Sequence, residues 1–405
     1  SAANAVYWPT NMPGILDYLD GASADPEELA EVLARNRQAL EHLDRGLACP
    51  ACSAPEVAGF VTPLPYVGPW RNLGRILAIK TRHARLAGRP AEAAGSCIAL
   101  LRFGDLIQRD PECLIQYLVG LSVLNLGLAE AQDLARDGNL PDAELARLSA
   151  ALAELGPFAP GLVRAIQVEY KLVVTLIDEL RDGRHSKDEL LPWIGWKPFR
   201  WLLIKPGRGW FFKPNGTKAA FADQYRALIA DAPAAYADMK GLNDYEAPGL
   251  KANKVALFLR PNAVGRILPA LLIPSFGRIL EHRCRMDCDL AAARLLVALH
   301  QSRRADDRFP DRLEALVPAW LPAVPADPFD GRPFRYAASK KILYAVGKDL
   351  RDSGGSTHGS ADAEADRPSN RRWETDDVVY GLEEQMEPVA AGDVPAARAA
   401  DTILR

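Results

Sequence analysis

A chain of 405 residues is too long for one simple core and sets an expectation of two or three domains. Hydrophobic residues make up 48% and charged residues 25%, as in an ordinary globular protein, and a formal net charge of −3 with no long basic tract argues against nucleic-acid binding. The best apolar stretch, "ILPALLIPSFGRIL", is interrupted by Pro269, Pro274 and Arg278, so no membrane-spanning helix is expected.

The chain opens on "SAANAVYWP", with no Met and no basic-plus-apolar leader. That start sets the expectation of a removed N-terminal anchor, and so of membrane proximity. "DPEELAEVLARNRQALEHLDRGL" has helical apolar spacing, with Ser23 or Asp25 as the cap and Glu27 and Glu28 in the first turn. Cys49 and Cys52 form "CPAC". No second Cys or His pair follows at metal-ligand spacing, so they read as structural cysteines, either thiols or a local disulfide.

After the Pro-rich "TPLPYVGPW", the stretch to "LIQRD" reads as a helical hairpin turning at "AGRP". "ECLIQYLVGLSVLNLGLAEAQDLARDGNLPDAELARLSAALAEL" reads as a second, turning at "DGNLP". "PFAPGLVRAIQVEYKLVVTLIDELRDG" is one more amphipathic helix. The pattern resembles tetratricopeptide-like helical pairs, but no regular repeat can be scored, which leaves an irregular helical array.

"WIGWKPFRWLLIKPGRGWFFKPNGTK" concentrates Trp193, Trp196, Trp201 and Trp210 among Lys and Arg. It reads either as an aromatic-basic surface for a membrane or a partner, or as tryptophans packing an irregular crossing between helices. Asn215, Gly216 and Thr217 match a glycosylation triplet, although a turn after Pro214 is the simpler role. A helix restarts at "DCDLAAARLLVALHQ", and Cys284 and Cys288, four residues apart, are expected to face the core.

The pattern then changes in kind. "DPFDGRPFRYAASKKILYAVGKD" holds two short strands with turn residues around them, and "DDVVYGL" is a third. The expected fold is therefore mainly α: an irregular helical array over residues 1–280, a small α+β domain with a short antiparallel sheet over 281–385, and a tail over 386–405.

Four stretches, "DRFPDRLEALV", "DPFDGRPFRY", "LYAVGKDL" and "TDDVVY", occur in an order that resembles the globular domain of the major pseudopilin of type II secretion systems. The likeness covers roughly the last quarter of the chain and is fairly specific, because all four stretches keep the family order. More loosely, the whole chain looks like large bacterial envelope proteins that join a helical region to such a module. The family's leader and N-terminal hydrophobic helix have no counterpart, so the module is read as an appended domain.

In that family the loop after the "LYAVG"-like strand binds calcium, a hard cation taking oxygen ligands. The resemblance implies Asp349, Asp376 and Asp377 as carboxylate ligands, Val346 and Arg351 as carbonyl donors, and Asp352 as an extra nearby carboxylate. It further implies a periplasmic or envelope-associated protein with protein partners of secretion or pilus type.

For catalysis the sequence offers little. His42, His83, His185, His282, His300 and His358 are scattered, and no zinc-protease, nucleophile-elbow or P-loop motif is present. The expectation is a non-catalytic protein. A helical interaction scaffold unrelated to secretion and a hydrolase without a sequence motif are the alternatives.

Overall fold

The computed structural model describes residues 6–8, 18–19, 26–59, 62–182, 209–210, 212–240, 261–262, 265, 276–358 and 372–383. The candidate cap residues Ser23 and Asp25, Trp193, Trp196, Trp201 and the 386–405 tail lie outside them. The described residues form a mainly helical protein with a small three-stranded antiparallel sheet near the C-terminus.

The first pair is α1 (Pro26–Arg35) and α2 (Arg37–Leu47). Helix α2 buries Ala39, Leu40, Leu43 and Leu47, the one-sided stripe that its three-and-four spacing encodes. Between the two helices Asn36 is fully buried and satisfied. Its amide donates to the Val32 and Tyr7 carbonyls, and its oxygen accepts the Tyr7 N–H.

Both expected hairpins are present. Helices α3 (Val67–Leu86) and α4 (Pro90–Arg109) are joined by a turn with Gly88 at φ 67° and Pro90 in the first turn of α4. Helices α5 (Leu114–Arg136) and α6 (Asp142–Ala153) are joined through Gly138 at φ 69°. Helix α7 (Ala159–Asp182) packs on α8 (Pro214–Asp231), where the rings of Tyr170 and Tyr225 meet at 5.6 Å, tilted by 52°. The Asn215–Thr217 triplet lies in the first turn of α8, with Thr217 fully buried.

By length and composition α5 would pass as a membrane span, contrary to the expectation that no such helix exists. Its neighbours give the physical reason for its composition. It packs against α3, α4, α7 and α9 (Phe276–Asp306), the last helix among the described residues, and a helix covered on several sides is apolar on several sides.

From α9 the chain passes a short 3₁₀ turn, Leu313–Leu316, and enters the sheet: β1 (Arg335–Ala337), β2 (Ile342–Ala345) and β3 (Val378–Gly381), in the order β1-β2-β3. The register pairs Tyr336 with Leu343, Leu343 with Tyr380 and Ala345 with Val378. Leu343, Ala345, Val378 and Tyr380 are buried, so the period-two pattern places one face of the sheet inside. Cys284 and Cys288 on α9 are fully buried, as expected.

One apolar cluster runs from Ala84 on α3 through α9 to Leu382 beyond β3. Helix α9 belongs to both parts: it packs on α5 and α6 on the array side and on β2 on the module side. The core is therefore continuous across residue 280.

Candidate functional site

The loop singled out by the sequence leaves β2 at Val346 and turns on Gly347 at φ 68° and Leu350 at φ 60°. Two of its aspartates cap their own turns. Asp349 Oδ1 accepts the Arg351 N–H at 3.1 Å, and Asp352 Oδ1 accepts the Gly354 N–H at 3.0 Å. Lys348 pairs with Glu374 at 2.6 Å.

Asp377 does something different. It is fully buried, and its Oδ2 accepts three backbone N–H groups, from Gly355 at 2.8 Å and from Ser353 and Ser356 at 3.1 Å. Its own N–H donates to the Ser356 carbonyl at 3.0 Å, and the N–H of Asp376 donates to the His358 carbonyl at 2.8 Å. Asp376 Oδ2 accepts the Ser356 hydroxyl at 3.2 Å. Asp376 and Asp377 are thus brought onto the loop that the resemblance paired them with, and the tie is a set of hydrogen bonds.

A second cluster sits beside the first and was not singled out from the sequence. The turn "DPFDG" holds Asp327 fully buried. Its Oδ1 accepts the Phe329 N–H at 2.9 Å, and its Oδ2 accepts the Val346 N–H at 2.9 Å. Arg335, on β1, donates to Asp327 at 2.8 Å, to Asp352 at 3.1 Å and to Asp330 through Nη2. One guanidinium therefore faces three carboxylates from two separate segments.

Burial works against the Arg335 charge, but the hydrogen bond and charge of Asp330, with Asp352 and Asp327 behind it, raise its pKa above the ordinary arginine value. Partial burial would raise the Asp352 carboxyl. The Gly354 N–H and Arg335 outweigh that effect and hold it below its usual range. Asp327 is pushed up by its burial, despite the N–H groups of Phe329 and Val346. The usable signal lay within "DPFDGRPFRY": two aspartates and an arginine spaced across one tight turn.

Calcium takes about six to eight oxygens with free lone pairs converging on one point. The implied donor set does not converge in that way. Asp377 Oδ2 faces three N–H donors, Asp349 caps its own turn, and Asp352 faces Arg335. Among the described residues no three Asp, Glu, His or Cys side chains gather as a metal-holding group. As placed, these residues do not fit a calcium shell.

A groove of about 660 Å³ opens where the array meets the module. Pro157, Pro160, Pro233 and Pro328 line it, drawn from the start of α7, the end of α8 and the "DPFDG" turn. Its charged lining is the Arg283–Asp287 pair of α9, at 2.9 Å, together with Arg164, which meets Asp110 at 3.0 Å, and Asp327, which meets Arg335 at 2.8 Å. Arg283 also donates to the Ala234 carbonyl, so the pair is spent largely on the protein itself. Proline and alanine walls have few rotamers to lose, which makes the groove pre-formed and mostly apolar.

Among the described residues the histidines form no metal-holding group with Cys, Asp or Glu. His300 is buried and donates from Nε2 to the Leu382 carbonyl at 2.9 Å, which ties α9 to the end of β3. His42 contacts Arg45 on the surface of α2. A scan against protein-family models and searches of curated proteins and of solved structures returned no match to this chain.

Proposed function

We propose that this is a non-catalytic, cell-envelope interaction protein, periplasmic or envelope-associated, which uses its pseudopilin-like module with the helical array to hold a partner of secretion or pilus type. The observation that carries the reading is the proline-lined groove at the seam. Apolar, pre-formed surface with little uncompensated charge suits an extended protein segment better than a charged metabolite. The continuous core supports it further, since α9 is covered by α5 and α6 and is not free to pack as a filament helix. The envelope assignment rests on the resemblance of the four C-terminal stretches to the pseudopilin domain.

The test is a photo-crosslinking residue at Gln167, in the groove, compared with one at Arg226, exposed on α8 away from it, in the native host. Crosslinks from position 167 to an identified envelope secretion or pilus component, and none from 226, are expected. Recovery of the protein in the cytosol, or equal crosslinking from both positions, would overturn the reading.

A further inference from the structure

We propose that the C-terminal module carries its own cation. Arg335, together with the amide cradle on Asp377, locks the loop after β2 to the sheet without any divalent ion.

Three carboxylates at one place repel one another unless positive charge is set among them. Asp327 comes with Asp330 from one turn and Asp352 from the loop, and the Arg335 guanidinium meets all three. The side chain of Arg335 is only 12% exposed and Asp327 is fully buried, so water screens the innermost pair little. Guanidinium suits this role because it is planar, keeps its proton at any physiological pH and offers N–H groups in several directions at once.

These carboxylates also accept from the backbone N–H groups of Phe329, Val346, Arg332 and Gly354. The other anchor, Asp377, is met by the amides of Ser353, Gly355 and Ser356. Gly355 stands at φ 78°, and a Cβ there would run into Ile342 of β2, so this turn needs glycine to bring its amide to Asp377.

The consequence is a difference in regulation. A loop held by bound calcium loosens when the ion is diluted, by mass action. A loop held by a covalently tethered guanidinium does not, so the module keeps its shape whatever the divalent ion concentration around it.

The experiment uses the whole chain, with melting curves and amide hydrogen exchange in EDTA, in millimolar calcium and in millimolar magnesium. Coincident wild-type curves, with Val346, Gly355 and Ser356 protected in EDTA, are expected. A calcium-specific rise in Tm, or protection of these amides only with calcium, overturns the proposal. Arg335→Gln should speed exchange at Val346 and Gly354, and Asp377→Asn at Gly355 and Ser356, each by about tenfold or more. Unchanged exchange in both variants equally overturns it. If Arg335→Gln does not fold, the wild-type comparison in EDTA and calcium still decides.

Discussion

Glu130 lies on α5 with only 2% of its surface exposed, and burial pushes its carboxyl up from 4.5 to about 7. Arg82, bonded to Oε1 at 3.1 Å, and Arg85 oppose that shift, while Asp133 adds to it. Among the described residues Oε2 has no hydrogen-bond partner. The folded state therefore holds this proton more tightly than the unfolded chain does. Its stabilising effect is complete below pH 4.5 and is lost as pH rises through 7. Between pH 5 and 8 the wild type should lose on the order of 2 kcal/mol that Glu130→Gln does not lose. Urea unfolding of both proteins at both pH values checks this, and parallel pH dependences would sink it. Asp289 presents the opposite case, a buried carboxylate with its partners in place. Burial raises its pKa, but Tyr380 donates to it at 2.7 Å and Arg372 at 2.9 Å. Asp289→Ala strands Arg372 and should destabilise by about 3–5 kcal/mol. Adding Arg372→Met should recover part of that loss, and a fully additive double variant in urea unfolding would show that the two residues are not coupled.

At the scale of elements, helices α4 and α5 are held together by absent side chains. A Cβ on Gly120 would meet the Gln108 backbone, and one on Gly104 the Leu124 backbone. Backbone cannot yield as a side-chain tip can, so Gly120→Ala should destabilise by about 1–3 kcal/mol. Gly95, on the same α4, has open space where its Cβ would stand. Gly95→Ala should stabilise instead, by about 0.5–1 kcal/mol, through helix propensity alone. Calorimetry on the two variants tests the pair of signs, and a shift in the same direction for both would refute the close-packing account.

For the whole molecule the decisive element is α9. The change from helical to strand spacing invites a cut near residue 280 and a separable C-terminal fragment. The cluster from Ala84 to Leu382 passes straight through that point. Leu295, Leu296 and Leu299 of α9 are fully buried within it. Exposing one such leucine costs about 1.5–3 kcal/mol, so a fragment beginning at α9 has several to cover. Cleavage by an inserted protease site between residues 241 and 275 should leave the two pieces co-eluting in gel filtration and separating only in denaturant. Independent elution of a folded C-terminal piece would establish two bodies instead.

Local chemistry made much of this legible in advance. Apolar spacing at three and four, with "AGRP" and "DGNLP" as punctuation, set α3 to α6, because Gly and Pro act through their own backbone limits wherever they stand. Alternation set β2 and β3, and the burial of Cys284 and Cys288 followed from their shared helix face. The resemblance of the C-terminal stretches also implied that the loop and Asp377 meet one another. The sequence could not say what joins them. Whether a carboxylate faces a metal, an amide or a guanidinium depends on groups from other segments. Arg335 reaches Asp352 across 17 residues, and Ser353 reaches Asp377 across 24. The same holds for Glu130, whose environment is set by Arg82, 48 residues away. Periodicity and turn chemistry act over a few residues and survive in the linear text. Charge compensation and the continuity of the core depend on distances that exist only once the chain has folded.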